Sequence, residues 1–295
     1  MVTAHVKIFA FIRLLRPHEW VRNVLIFAPL AFAGELFNAQ AFISVLGAAL
    51  LFSLLASAVY VMNDMADAER DCLHPQKRLR PLAHGDVTRR TAGILCLVLL
   101  GAVFVLSAAC YASMILVFAL YLLLQISYSF KLKEVAILDV VSPALGYVLR
   151  IWAGIAAASV PFSLWMVAVV FLLGFFIVLS KRRQEIAVLK SAAPEHRKSL
   201  AHYTLSWIDQ MLGIAAASII IAYMLYTLDE QTVAKFGNGL FVTNIFVFFG
   251  ILRYLWHVQE RILPNNPLSL FVKDKFLLAT IFLWGVSALM VIYGS

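Results

Sequence analysis

Charge is scarce in this sequence: of 295 residues only 14% are Asp, Glu, Lys or Arg, while 63% are hydrophobic. A soluble domain is nearer a quarter charged and half apolar, so a water-soluble globule is excluded. Cysteine is scarcer still. Cys72, Cys96 and Cys110 are too few and too scattered for a disulfide framework or a cysteine metal cage. The apolar runs lack the period-two alternation of barrel strands, which argues against a β-barrel. Also missing are a Ser-His-Asp grouping, a zinc ligand set, a Walker loop, a fixed-period repeat and a low-complexity linker. No small-residue cleavage site follows a short apolar core near the N-terminus, so no removable signal peptide is expected.

What is present is a series of long apolar runs, with a mean hydropathy of +0.90. Several reach the roughly 20 residues that an α-helix needs to cross a bilayer. The expected fold is therefore all-α: a polytopic membrane protein, built as one helical domain, because helices satisfy their own backbone polar groups in lipid. Nine transmembrane helices are expected, at about 22–37, 41–62, 91–108, 110–129, 136–157, 162–180, 206–228, 238–257 and 275–293. Ahead of them, residues 1–20 mix Lys7, Arg13 and Arg16 with Phe9, Phe11, Ile12, Leu14 and Leu15. That is the pattern of a short amphipathic helix in the membrane interface, ended or bent by Pro17.

The net charge of +8 raises the question of nucleic acid, but the placement of the charge answers it. With nine spans and the N-terminus on the cytoplasmic side, 22 of the 24 Lys and Arg residues fall on that side or at the span ends that face it. Only Lys235 lies outside, and Arg150 lies within a span. Such asymmetry is the positive-inside signal of a multi-pass protein of the cytoplasmic (inner) membrane, not a nucleic-acid footprint.

The block Asn63–Asp86 interrupts the apolar runs. Asp64, Asp67 and Asp71 follow Asn63 at intervals of three and four, which places them on one helix face. Carboxylates packed this way repel one another unless a cation sits among them, and oxygen ligands suit Mg²⁺, often shared with substrate phosphates. Lys77, Arg78 and Arg80 follow at once, with His74-Pro75 and Arg80-Pro81 turning the chain and Thr88 placed to cap the next helix. A solvated, charge-balanced loop would also be polar, but it has no reason to align its carboxylates. The pattern is that of a site for a metal-bridged, highly phosphorylated ligand.

Three further groups carry candidate chemistry. In Arg16-Pro17-His18-Glu19-Trp20-Val21-Arg22-Asn23, Arg22 and Asn23 are candidate ligand contacts, though Trp and Arg also serve as interfacial anchors. Tyr128 and Lys133 lead to Asp139 and Arg150, eleven residues apart on one helix, roughly 16 Å at 1.5 Å per residue, and so too distant to pair directly. Each needs another partner inside the protein, and an intramembrane charge is a functional candidate by default. Lys181, Arg182 and Glu185 share one side of the helix end at Ser180–Glu185, where Arg suits phosphate recognition and a basic flank is also ordinary topology.

The acidic block after a second span, in a nine-span chain, resembles the first signature of the UbiA superfamily of intramembrane prenyltransferases. That resemblance covers nearly the whole chain and implies a UbiA-like bundle around a central cavity. It also implies that a diphosphate is held through Mg²⁺ on Asn63, Asp64, Asp67 and Asp71. Where the family has a second acidic motif, this sequence has Lys181-Arg182-Arg183-Gln184-Glu185. Together with RPHEWVRN, YSFKLKEVAILD and SKRRQE, that departure is similar to the branch of decaprenyl-phosphate phosphoribosyltransferases. The branch implies transfer of 5-phosphoribose from phosphoribosyl pyrophosphate (PRPP) to a polyprenyl phosphate in the bilayer, with relatives that feed cell-wall biogenesis. A prenyl diphosphate-dependent transfer to an aromatic acceptor and a non-catalytic lipid-phosphate carrier are the rival expectations. Assembly into a homo-oligomer stays open.

Overall fold

The computed structural model describes residues 2–72, 77–189, 197–260 and 270–294, and among them there are helices and turns but no strand. Among the described residues, eight helices are long and apolar enough to cross a membrane: Ala39–Glu69, Arg89–Cys110, Ala112–Phe130, Leu138–Ala158, Leu164–Leu189, Leu205–Leu228, Glu230–Glu260 and Lys275–Gly294. They correspond to eight of the nine expected spans. The ninth, expected over 22–37, is not a regular α-helix. Pro17–Phe27 winds as a 3₁₀-helix, followed by one short α-helical turn, Ala28–Phe32. Pro29 withholds a backbone donor that a continuous α-helix through 22–37 would need, and α-winding begins only at Ala28, just before it. Neither piece, of 11 and 5 residues, is long enough by itself to cross a bilayer as a regular helix.

The chain divides into two compact units, Met1–Ser129 with Leu149–Pro161 and Phe130–Val148 with Phe162–Ser295. In the first unit, α1 (Val2–Leu15), α2 (Ala28–Phe32), α3 (Ala39–Cys72), α4 (Pro81–His84), α5 (Arg89–Cys110) and α6 (Ile115–Phe130) follow in order. The first helix, expected over residues 1–20, runs from Val2 and stops at Leu15, where Arg16 takes a left-handed conformation (φ 51°) just before Pro17. Its buried face, Ala10 and Leu14, packs with Ala58, Val61 and Leu82. Around α3, Phe52, Leu55, Phe118 and Tyr121 form a second core with Ile26 and Leu30. Gly154 is required here: a Cβ at that position would lie 2.1 Å from the Ile26 carbonyl oxygen, so the backbones touch. Thr88 caps α5 by accepting the Thr91 amide, as its position predicts.

The second unit takes the first half of α7 (Leu138–Ala158) and continues with α8 (Leu164–Leu189), α9 (Leu205–Leu228), α10 (Glu230–Phe236), α11 (Asn244–Glu260), α12 (Leu270–Lys273) and α13 (Lys275–Gly294). Phe176, Leu179, Ile208, Leu212 and Tyr254 form its core. Arg183 ties three helices at one end. It bonds Asp209 at 2.5 Å and donates to the Val258 and Gln259 carbonyls at 2.6 and 3.1 Å, occupying acceptors that the end of α11 leaves open. Asp274 accepts from Leu277 N–H at the start of α13 and pairs with both Arg253 and His257 of α11. Large apolar side chains such as Leu97, Leu116 and Phe282 stand exposed along the long helices, as a lipid solvent allows.

Candidate active site

Helix α3 carries a polar stripe much longer than its acidic end. Ser53, Ser57, Tyr60, Asp64, Asp67 and Asp71 recur at intervals of four, three, four, three and four, one face of an α-helix. The entry segment meets this stripe residue by residue. Asn23 Nδ2 donates to Ser53 Oγ at 2.8 Å, Trp20 Nε1 donates to Ser57 Oγ at 3.0 Å, and Arg22 reaches Tyr60 Oη at 3.4 Å. Ser57 in turn donates to the Leu15 carbonyl at 2.8 Å. The turn before Pro17 is thereby pinned, and its left-handed Arg16 is aimed up the stripe.

Two guanidinium groups converge on the carboxylates. Arg16 Nη2 lies 2.5 Å from Asp64 Oδ1, and its guanidinium sits 5.2 Å from the Tyr60 ring centroid. From the other side, Arg80 Nη1 lies 3.2 Å from Asp64 Oδ1 and 2.6 Å from Asp71 Oδ2. One nitrogen thus bridges two carboxylates that the helix sets roughly 10 Å apart along its axis, so both side chains lean toward a shared cation position. Asp67, one turn between them, is half-buried on the same face. Asn63 Oδ1 accepts from the Ser129 hydroxyl. Arg80 reaches the stripe because it is extended ahead of Pro81, with Lys77–Leu79 winding as a single 3₁₀ turn before it.

Deeper in the same unit, Arg150 is buried. Its Nε donates to Asn23 Oδ1 at 2.8 Å and its Nη2 to Tyr121 Oη at 3.3 Å, with the guanidinium 4.9 Å from the Phe52 ring centroid. Aromatic faces and amide oxygens are the partners expected for a cation held away from water.

The second unit holds a different charged cluster. Asp139 is fully buried and accepts from Tyr203 Oη at 2.6 Å and Ser199 Oγ at 3.0 Å, while Arg182 Nε lies 2.8 Å from its Oδ2. Arg182 also donates to Glu185 Oε2 at 2.7 Å, one turn along α8. Tyr203 Oη accepts the Ile137 amide at 2.5 Å, and Ile137 is left-handed (φ 69°), a costly conformation for a β-branched residue. Burial first, then the bond to Asp139, pushes the Tyr203 hydroxyl above its ordinary pKa, so it stays a proton donor.

Comparison with known proteins gives this geometry a family. The sequence profile of the UbiA prenyltransferase family matches residues 24–284. The chain belongs to the UbiA prenyltransferase family. It is 32% identical over 288 residues to the decaprenyl-phosphate phosphoribosyltransferase of Mycolicibacterium smegmatis, covering 92% of this chain and 89% of that one. Identity to the decaprenyl-phosphate phosphoribosyltransferase of Corynebacterium glutamicum is 31% over 287 residues, with 96% and 86% covered. The fold is also that of a UbiA homolog from Archaeoglobus fulgidus solved bound to GPP and Mg²⁺, at a TM-score of 0.69 and 17% identity, covering 97% of this chain and all of the other.

In this UbiA member, as it stands, no group of three or more His, Cys, Asp or Glu among the described residues is arranged to hold a metal. The donors nevertheless fit one. They are all oxygens, suited to Mg²⁺, and the Arg80 nitrogen already stands where a cation would be shared by Asp64 and Asp71.

Of the residues singled out from sequence, Asp64, Asp71 and Arg80 come together, with Asp67 beside them. Arg22 pairs with Glu19 at 2.7 Å, and Asn23 is spent on Ser53 and Arg150. Arg78 and Lys181 are exposed, while Tyr128 and Lys133 are half-buried near the end of α6 and the turn after it. The Lys77 side chain and His74-Pro75 lie outside the described residues. Arg182 is a strut between Asp139 and Glu185, not an open cation. As their separation required, Asp139 and Arg150 each have other partners. Sequence reasoning passed over Arg16 at the carboxylates and Ser199 at Asp139. The seryl and tyrosyl positions at 53, 57 and 60 continue the acidic spacing and were a readable signal for the first.

Proposed function

We propose that this protein transfers the 5-phosphoribosyl group of PRPP to a polyprenyl phosphate, releasing pyrophosphate, at the cytoplasmic face of the inner membrane. The observation that carries the reading is the shared cation position between Asp64 and Asp71, flanked by Arg16 and Arg80. Relatives about 31% identical over most of the chain bear the name of that activity, which supports the same chemistry here.

The bond that breaks joins ribose C1 to a pyrophosphate oxygen, which leaves with the electron pair. The bond that forms joins C1 to an oxygen of the lipid phosphate on the opposite face, inverting the anomeric centre. That oxygen is already ionised near neutral pH, so the protein needs no general base. Its task is positioning and charge stabilisation. Asp64, Asp67 and Asp71, with Asn63, would hold Mg²⁺, which when bound supplies positive charge to the departing pyrophosphate. Arg80, with Lys77 and Arg78 from the same loop, binds phosphate oxygens. Arg150 keeps Asn23 and the entry segment in register with α3. In the second unit, Lys133 and Lys181 bind phosphate directly, whereas Arg182 acts by fixing Asp139 and Glu185.

The test is incubation of the purified protein in nanodiscs with Mg²⁺, radiolabelled PRPP and a polyprenyl phosphate. A phosphoribosylated lipid is the expected product. Labelled product only from a prenyl diphosphate and an aromatic acceptor would replace this reading with the prenyl-transfer one. Binding of the lipid without turnover of either donor would leave a carrier.

A further inference from the structure

The two arginines raise a question that the catalytic reading leaves open: a metal site cannot be filled while a guanidinium occupies the cation position. Arg80 Nη1 bridges Asp64 and Asp71, and Arg16 Nη2 takes the same Asp64 oxygen from the other side. Both arginines are partly exposed, at 20% and 29%, whereas the carboxylates are buried at 2% and 6%. The arginines are therefore the partners within reach of solvent, and the carboxylates are the enclosed ones. Their attachments also differ from ordinary surface pairs. The Arg16 backbone is locked by its left-handed turn and the Ser57 bond to Leu15, so its guanidinium can leave Asp64 only by side-chain rotation. Arg80 is likewise set by the extended backbone before Pro81.

We infer that Arg16 and Arg80 are exchangeable counter-ions that make the divalent metal and the pyrophosphate bind as a couple. A metal ion arriving alone must displace both guanidinium groups and leave them beside a second positive charge. A pyrophosphate arriving alone meets three carboxylates. When both arrive, the carboxylates turn to the metal and the guanidinium groups turn to phosphate oxygens, which accept them in bidentate fashion. Each ligand removes the obstacle to the other, and by linkage the gain is the same in either order. The inference rests on the reading that this site takes a metal-bound pyrophosphate, but the two can fail separately.

The experiment uses the full chain in nanodiscs, with Mn²⁺ as the probe and binding read from loss of the free-ion EPR signal. It is run with and without inorganic pyrophosphate, after correction for the soluble Mn²⁺–pyrophosphate complex. In the unaltered protein pyrophosphate should tighten Mn²⁺ binding about tenfold or more, within the usual range of coupling between sites. Arg80→Gln and Arg16→Gln should each tighten the binding of Mn²⁺ alone and shrink the effect of pyrophosphate. Arg80→Lys keeps the charge but cannot bridge as a guanidinium does, so it should give an intermediate coupling and serves if the glutamine variant does not fold. Mn²⁺ binding as tight alone as with pyrophosphate would overturn the inference without any variant. So would a coupling that survives unchanged in the arginine variants. If the coupling is present and PRPP is never turned over, the phosphoribosyl reading falls and the exchange stands; turnover without coupling is the reverse.

Discussion

The two units use the same ion-pair chemistry, but only one of them leaves the cations exposed. In the first, the buried partners are carboxylates, Asp64 and Asp71, and the arginines that cover them come from turns and stay partly in reach of solvent. In the second, the arginine is buried: Arg182 has a side chain only 4% exposed and lies against an Asp139 that is wholly enclosed. An ion pair whose cations can swing away leaves room for a ligand. One closed on every side, with Tyr203 and Ser199 filling the remaining positions on Asp139, holds helices together. The first cluster is therefore the candidate centre of chemistry, and the second fastens the helices of its own unit.

That contrast predicts opposite signatures for removing one carboxylate. Asp71→Asn should lower phosphoribosyl transfer by about 10²–10³-fold, the scale seen when a group that stabilises transition-state charge is removed. Stability should change by only about 1 kcal/mol, because Arg80 can turn to water. Asp139→Asn should do the reverse and cost about 3 kcal/mol, because it leaves the buried Arg182 with the partly exposed Glu185 as its remaining carboxylate. Thermal unfolding in detergent, set beside turnover at a temperature where both variants are folded, separates the two. An Asp139→Asn protein that unfolds normally but is inactive would show that the second cluster also meets substrate directly.

Much of this was legible in the sequence, and the boundary of what was legible is physical. The eight long apolar runs, the three-four spacing of Asp64, Asp67 and Asp71, the Arg80-Pro81 turn and the Thr88 cap all depend on residues close in the chain. Spacing along one helix reports them well. The first segment was read as an ordinary span because hydropathy does not distinguish α from 3₁₀ winding, and Pro29 was the clue. Arg16 escaped because its partner Asp64 is 48 residues away and the contact depends on a left-handed backbone that no propensity of Arg suggests. Arg150 was recognised as needing a partner, but that partner, Asn23, is 127 residues distant. Pairing of that kind is decided by packing.

Tyr203→Phe should have a smaller effect than loss of Asp139. The hydroxyl donates to Asp139 and accepts the amide of left-handed Ile137, so its removal leaves a buried N–H without this acceptor and the carboxylate with one donor fewer. A loss of about 1–3 kcal/mol is expected. If the Asp139 cluster serves only the stability of its own unit, KM for PRPP should stay within about twofold while the unfolding temperature falls. A rise in KM with unchanged stability would move Tyr203 from support to substrate binding.

The smallest effect tests whether the Asp139 cluster and the helix start beside it are one piece. Thr88 and Thr204 are matching N-caps, each accepting an amide three residues on at 3.2 Å, one in each unit. Either Thr→Ala change should cost about 1 kcal/mol if the cap acts alone. Thr204, however, sits beside Tyr203, and the residue it caps, Trp207, stacks on the Tyr203 ring at 5.2 Å. Loss of this cap should loosen the ring as well as the helix end. Its effect should then exceed that of Thr88→Ala and be less than additive with Tyr203→Phe, by about 0.5 kcal/mol or more. Thr88→Ala shares no partner with Tyr203 and should add to it fully. Additivity at Thr204 would mean that the Asp139 cluster and the start of α9 are separate structures.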